Sequence, residues 1–524
     1  MSKKPFFIAF LLINLVAIFV AKIWINDTWL VTGHDTFQYI HWSANFFTED
    51  RSLLFFRPFL YLMMNTAHNL SSWSPYTFEV FLYFCALVSA IILYKILQAL
   101  NTDYFITLIS VIIFLSSRIF YEADVVGNIT SLETTLVFAC IFFAIKSFKN
   151  SSNELYPWLF VLCGLMLTFT HEEKLIFFIP LLFLSFIGNT KVIFKIFMAY
   201  ITSVAAVFIL IGGLNAFNRS FKMAGGIASN WESHWNIFQN FLITFKSSLY
   251  GLDPLTQNLL LILSLFMMFR LVNLLTTIFI NRPNGGSVST YYRFFCHSLD
   301  TSQLLNCDMT RFLILPALSY LFFTGIIFAG IDLPRITAPI SILLVIGFLN
   351  IYHKKYSCRK AVYLIVIYVF VLIYFIAPII QKGWNMRDVN DNSDYAFARS
   401  IIPIETNNCS RDTPSILVTN SFDSRLRAPG WGIDEVYGLA SKVYYGNCVI
   451  TESRLKEDYS NNEQKDILEK YISFIVMNEF KEKLANNSLL YNLDLSLVHK
   501  NVKNCYSIED ASCAMVIYSK ANSK

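Results

Sequence analysis

The chain has 524 residues, 55% of them hydrophobic and only 15% charged, with a formal net charge of +5. Soluble domains carry roughly 25% charged residues, so a water-facing surface over the whole chain is excluded and a bilayer is the fitting solvent. The lysines and arginines are scattered, with no basic arm and no nucleic-acid motif, so nucleic acid is not among the expected partners.

Residues 6–24, after Lys3 and Lys4, form the first predicted span. No small-residue cleavage site follows, so the segment reads as a retained signal anchor rather than a removed leader. A long loop then runs from Ile25 to Tyr76 and contains Gly33-His34-Asp35-Thr36-Phe37-Gln38-Tyr39, followed by Arg57-Pro58-Phe59-Leu60-Tyr61. From Pro58 to Leu70 the apolar residues recur at helical spacing with few charges, which predicts a helix lying in the interface plane. Further spans follow near 77–98, 104–121, 131–148, 156–171, 174–190, 192–213, 257–280, 311–330, 335–352 and 361–380. A span needs ~20 mostly apolar residues, so the total is about eleven.

Orientation follows from the lysine and arginine bias. With the N-terminus in the cytoplasm, the inner ends and loops receive Lys95, Lys146, Lys149, Lys191, Lys195, Arg282, Arg293, Lys354, Lys355, Arg359 and Lys360. The odd span count places the tail, from about Gln381 onward, outside. Cysteines agree with this division. Cys85, Cys140 and Cys163 fall in spans, and Cys296, Cys307 and Cys358 in inner loops. Cys409, Cys448, Cys505 and Cys513 form an even set in the tail, where an oxidising compartment favours two disulfides, Cys505–Cys513 being the most local pairing. The alternative is that they are ordinary buried thiols.

The expected fold class is an α-helical polytopic membrane protein over residues 1–380, followed by a small extracytoplasmic α/β or α+β domain over 381–524. In the tail, Ser415 to Thr419 and Ile472 to Met477 read as buried strands, with a short helix around Asp466 to Glu469.

Several ionisable groups gather on the predicted outer face. They are Asp35, Arg57, Glu122, Asp124, the run His171-Glu172-Glu173-Lys174, and Asp332 with Arg335. Ionisable groups at membrane depth are costly and often functional. A carboxylate there can act as a general base or hold a divalent cation, and an arginine's planar fork suits a phosphate. The bland reading stands beside each. Asp35 can be a helix cap, Arg57 and Arg335 can anchor helix ends to headgroups, and Glu122, Glu133 and Asp253 read as structural.

The order of these segments resembles the GT-C superfamily of glycosyltransferases, in the branch of protein O-mannosyltransferases and lipid A aminoarabinose transferases. The likeness spans residues 1 to about 380 as architecture. Asp35 matches the first-loop acid, although Thr36 stands where many members have a second acid. Arg57-Pro58-Phe59-Leu60-Tyr61 resembles the family's basic-Pro-Pro-Leu-Tyr segment, with Phe59 replacing the second proline. Asp124 occupies the place of the second outer-loop acid, with Glu133 as its rival. His171-Glu172-Glu173-Lys174, running on to Pro180, is similar to the Lys-Glu segment before a proline-containing helix. Leu333-Pro334-Arg335-Ile336 is similar to the late Arg-Tyr element, with Ile336 in place of the aromatic.

The resemblance implies an inverting enzyme using a polyprenyl-phosphate sugar, with a lipid, glycan or protein as acceptor. It implies Asp35 and Asp124 as catalytic acids, directly or through a divalent metal such as Mg or Mn. Arg57, Arg335 and Lys174 would bind the donor phosphate. His34, Tyr39, Glu172, Trp231 and His234 would line the acceptor and sugar side, under a cover formed by the loop from Gly212 to Asp253. Competing readings are a transporter or flippase of lipid-linked glycans, a glycan polymerase or ligase, and a non-enzymatic assembly protein. Sequons at Asn26, Asn69, Asn128, Asn218, Asn408 and Asn486 fall outside and one at Asn150 inside. They leave a bacterial inner membrane with a periplasmic tail and an endoplasmic reticulum membrane both open, and the short inner loops favour the first.

Overall fold

The computed structural model describes residues 43, 57–71, 77–115, 130–150, 152–187, 189–211, 236–249, 254–281, 288–300, 302, 305, 307–327, 334–355, 416–419, 449–451, 455, 459–472, 474–480, 495–504 and 512–520. The helical part comprises α1 (Pro58–Leu70), α2 (Thr77–Ala99), α3 (Tyr104–Leu115), α4 (Thr130–Lys149), α5 (Leu155–Thr168), α6 (Leu175–Phe186) and α7 (Thr190–Ile211). It continues with α8 (Ile237–Ser248), α9 (Pro254–Ile280), α10 (Val288–Asp300), α11 (Leu315–Ile327) and α12 (Pro334–Lys355). Every predicted span from 77–98 to 335–352 carries a helix, while 6–24 and 361–380 lie outside the described residues. The structure departs from expectation in two connections. The stretches 212–253 and 281–310 read as loops, yet hold α8 and α10. Both helices are too short and too mixed in polarity to register as spans, which is why a hydropathy window passes over them.

Five of the described helices are long and apolar enough to cross a membrane, over Val80–Ala99, Thr130–Lys149, Thr190–Val207, Gln257–Ile280 and Thr310–Ile327. Their outward faces are apolar too. Val80, Phe84, Leu87 and Ile91 form an exposed stripe on α2, and Phe194, Phe197 and Ile201 another on α7. Stripes of this extent are not tolerated in water and are what lipid contact requires. The chain is an integral membrane protein.

Local chemistry explains the helix ends. Pro58 opens α1, where its missing N–H costs nothing. α2 stops in a Schellman turn, in which Thr102 N–H donates to Leu97 O at 3.0 Å and Asn101 N–H to Gln98 O at 3.1 Å. Asn101 takes the left-handed conformation that this turn needs, with φ 54°. α4 has Glu133 in its first turn and Lys146 and Lys149 in its last, matching the helix dipole at both ends.

The helices share one apolar core, in which α2 packs on α4, α4 on α5, and α11 on both α6 and α8. Between α2 and α4, Ser89 Oγ lies 2.8 Å from Thr135 Oγ1, and Thr135 Oγ1 donates to Cys85 O at 2.9 Å. Such interhelical hydrogen bonds in lipid contribute roughly 0.6 kcal/mol each. α5, α6 and α7 are joined by an aromatic stack, with Phe178 4.8 Å from Phe160 and 4.9 Å from Tyr200 by ring centroids. Gly164 makes room for it, because a methyl group there would overlap the Phe178 ring. Gly164→Ala is therefore expected to cost about 1–3 kcal/mol through overpacking, read as a lower melting temperature of the purified protein in detergent.

Beyond residue 415 the structure describes a five-stranded sheet. Its strands are β1 (Ile416–Thr419), β2 (Val449–Thr451), β3 (Phe474–Phe480), β4 (Leu495–Asn504) and β5 (Ser512–Lys520), in the order β2-β1-β3-β5-β4. β1 pairs in parallel with β2 and β3, whereas β5 pairs antiparallel with β3 and β4. The helix α13 (Asn461–Lys470) connects the parallel strands β2 and β3, as a parallel crossover requires. Ser460 and Glu463 start it with a capping box. β1 and β3 cover most of the two stretches read as strands, and α13 includes the predicted short helix.

Candidate functional site

The most unusual polar feature of the bundle is a buried charge cluster built from four separate parts of the chain. Glu133 comes from the first turn of α4. His171, Glu173 and Lys174 come from the 3-10 turn and its flank between α5 and α6, Tyr320 from α11, and Arg57 from the residue preceding α1. The turn exists because α5 ends at Thr168 and Glu172–Lys174 form a single 3-10 turn before α6 begins. Pro180, within α6, falls after its first turn.

Lys174 is fully buried, at 0% exposure, and Glu133, His171 and Glu173 are nearly so. The ammonium lies 3.3 Å from Glu133 Oε2 and 3.7 Å from Glu173 Oε1, and donates a hydrogen bond to Tyr320 OH at 3.0 Å. His171 Nδ1 contacts Glu173 Oε1 and lies 3.4 Å from Glu133 Oε1. Taking these charges out of water separately is prohibitive, and burial is tolerable only because they pair. The Glu133 and Glu173 carboxylates and the Tyr320 hydroxyl together offset the cost of burying the Lys174 ammonium. For Glu173 burial acts upward, and His171, Lys174 and Arg57 together pull the carboxyl below the usual carboxylate range. Arg57 is thus within electrostatic reach of Glu173, although 116 positions of chain separate them, the difference between 173 and 57.

A second polar layer lies at the other end of α4. Lys149 Nζ is 3.2 Å from an Asp308 carboxylate oxygen and donates to Ala99 O at 2.6 Å. The Arg311 guanidinium stacks over the Phe148 ring, 4.5 Å from its centroid. Glu133 and Lys149 are roughly 24 Å apart along the helix axis, close to the ~30 Å of a hydrocarbon core. The cluster around Glu133 accordingly belongs to one membrane face, and the Lys149 layer to the other.

Of the residues singled out in the sequence, Arg57, Glu173 and Lys174 are brought together, and Glu133 joins them. Arg335 is the second residue of α12, and Glu172 opens the 3-10 turn. Asp35, His34, Tyr39, Asp124, Trp231 and His234 lie outside the described residues, as do Cys409, Cys448 and Cys505. Tyr320 was not legible as a site residue, since a lone tyrosine in an apolar span carries no signal until a buried cation is found against it. Among the described residues no group of three or more His, Cys, Asp or Glu side chains is arranged to hold a metal ion. The physical reason is the Lys174 ammonium, which already stands between the two carboxylates where a divalent cation would have to lie. The Glu133–Glu173 pair therefore does not fit a metal.

Fold and site together define a helical integral membrane protein with a buried, charge-paired cluster at one end of its bundle. No protein-family model matches the chain, and no curated protein matches it. Among solved structures it is similar to the archaeal oligosaccharyltransferase AglB from Archaeoglobus fulgidus in complex with an inhibitory peptide and a dolichol-phosphate. That similarity has 11% identity and a TM-score of 0.40, covering 90% of this chain and 69% of the other. It is also similar to the Archaeoglobus fulgidus oligosaccharyltransferase in complex with Zn and sulfate, at 9% identity and a TM-score of 0.38, covering 89% and 68%.

Proposed function

We propose that the chain is an inverting glycosyltransferase, moving a sugar from a polyprenyl-phosphate donor to an acceptor hydroxyl at the outer face of the membrane. The observation that supports this reading is the placement of Arg57. It stands at the head of α1, half-buried and within electrostatic reach of an acid that is itself fixed by Lys174 and His171. A guanidinium at this place can supply the planar fork that a phosphate accepts and stabilise charge on a leaving group.

In this scheme Arg57, assisted by Arg335, holds the donor phosphate. Asp35 takes the proton from the acceptor hydroxyl as the acceptor oxygen attacks the anomeric carbon. The bond from that carbon to the phosphate oxygen breaks, and polyprenyl phosphate leaves with its charge on Arg57. Asp124 positions the acceptor. Glu172, His34, Tyr39, Trp231 and His234 line the sugar and acceptor side. Lys174 acts as a positioning residue, because its ammonium is engaged by Glu133, Glu173 and Tyr320. No step is assigned to a metal.

The domain division at about residue 380, the outward tail and the periplasmic location belong to the same proposal. So does a Cys505–Cys513 disulfide.

The test is sugar transfer in membranes supplied with a labelled polyprenyl-phosphate sugar. Wild type is expected to release polyprenyl phosphate and label an acceptor, and Asp35→Asn to lower the rate about 10²–10⁴-fold, the usual worth of a general base. Movement of the labelled lipid across the bilayer without release of polyprenyl phosphate would favour a flippase instead. Undiminished transfer by Asp35→Asn removes that residue from the scheme.

A further inference from the structure

α9 is unlike the other long helices. It has 27 residues, longer than a bilayer core needs at roughly 40 Å, and, as in α7, most of its surface is exposed. It is held by one side, where Leu271, Leu274 and Ile278 pack with Phe294, Phe295 and Leu299 of α10 and with Ile187 after α6. Its single charged residue is Arg270, which is exposed and makes no hydrogen bond or ion pair among the described residues.

An arginine in lipid without a partner is expensive, so its presence calls for an anion. The neighbours indicate which kind. Asn273 and Thr277 follow Arg270 at spacings of three and four, so all three share one face of the helix, and all are exposed. Thr277 Oγ1 donates to the Asn273 backbone carbonyl at 2.8 Å, which leaves the lone pairs of the hydroxyl oxygen able to accept. Toward the N-terminus the same face is apolar, with Leu259 and Phe266 exposed. The face is thus an acyl-compatible surface that turns polar about 15 Å before the helix ends at Ile280. A carboxylate on a neighbouring protein helix would need only the arginine. A polar ladder continuing from Arg270 toward the helix end matches a headgroup lying beyond Arg270 at that end, toward which the arginine extends, with its chains running back along Phe266 and Leu259.

We propose that the Arg270–Asn273–Thr277 face of α9 is a binding site for the phosphate of an anionic membrane phospholipid. Arginine reaches toward the headgroup level by extending its side chain and binds phosphate through two parallel N–H donors. The site is separate from the Glu133 cluster and does not depend on the transferase reading.

The test uses full-length protein in nanodiscs of phosphatidylcholine containing a minority of phosphatidylglycerol, released into native mass spectrometry. Wild type is expected to retain phosphatidylglycerol in preference to phosphatidylcholine. Arg270→Leu is expected to lower the phosphatidylglycerol adduct about tenfold, with phosphatidylcholine adducts and melting temperature unchanged. Arg270→Lys keeps the charge and loses the fork, and is expected to fall between; it also serves if the leucine variant misfolds. Equal retention by Arg270→Leu, parallel loss of both lipids, displacement by inorganic phosphate, or a co-purifying acidic membrane protein in place of lipid would each overturn the proposal.

Discussion

Lys174→Met will destabilise the protein by about 3–5 kcal/mol, the usual cost of breaking a buried ion pair from one side. The substitution preserves volume, so packing is nearly unchanged. What it removes is the cation between Glu133 and Glu173, both nearly inaccessible to water. Two carboxylates are then left sharing an apolar pocket with His171, and at least one must take up a proton or draw in water. Tyr320 also loses the donor to its hydroxyl. The measurement is the melting temperature and the monodisperse yield of purified protein. A double variant, Lys174→Met with Glu133→Gln, separates charge from shape. It removes one acid together with the cation, and it should recover a large part of the lost stability. A Lys174→Met protein as stable as wild type would show that the cluster carries no net energy, as some buried ion pairs do not.

Arg57→Ala is expected to lower sugar transfer about 10²–10³-fold, the range for removing one preorganised group from a developing charge, while leaving the protein folded. The fold prediction rests on how Arg57 contributes to α1. Its backbone carbonyl accepts the Tyr61 N–H at 3.1 Å, and its side chain makes no capping hydrogen bond. Alanine keeps the first and has nothing of the second to lose. Arg57→Lys should fall between wild type and alanine, since a point charge replaces a fork with two aligned donors. The readout is the initial rate of polyprenyl phosphate release, set against the melting temperature of the same preparation. Equal rates for wild type and alanine at equal stability would take Arg57 out of the reaction.

The helical spans were legible because lipid imposes a simple rule, and Val80–Ala99 or Gln257–Ile280 satisfy it over their whole length. α8 was not, because polar and apolar residues share both of its faces. Asn240, Thr244, Ser247 and Ser248 face inward beside Phe241 and Phe245, while Ile237 and Phe238 face outward with Lys246. A pattern read for a soluble helix assigns such a segment to a polar loop. The site was legible one residue at a time: Arg57, Glu173 and Lys174 could each be singled out as an ion near a helix end. Their meeting could not be read, because the approach of positions 57, 133, 173, 174 and 320 is decided by how five helices pack. Arg270 was passed over for a related reason. Within a strongly apolar segment one arginine barely shifts the average, and only its exposure without a partner among the described residues makes it informative.

α4 carries an anchored charge at each extremity, Glu133 to Lys174 at one and Lys149 to Asp308 at the other. A rod fastened at both tips cannot rise or sink through the bilayer by even one turn without tearing both fastenings. The height of the cluster relative to the lipid is therefore dictated by the measure of this one rod, and the connecting loops are relieved of that duty and left at liberty to vary.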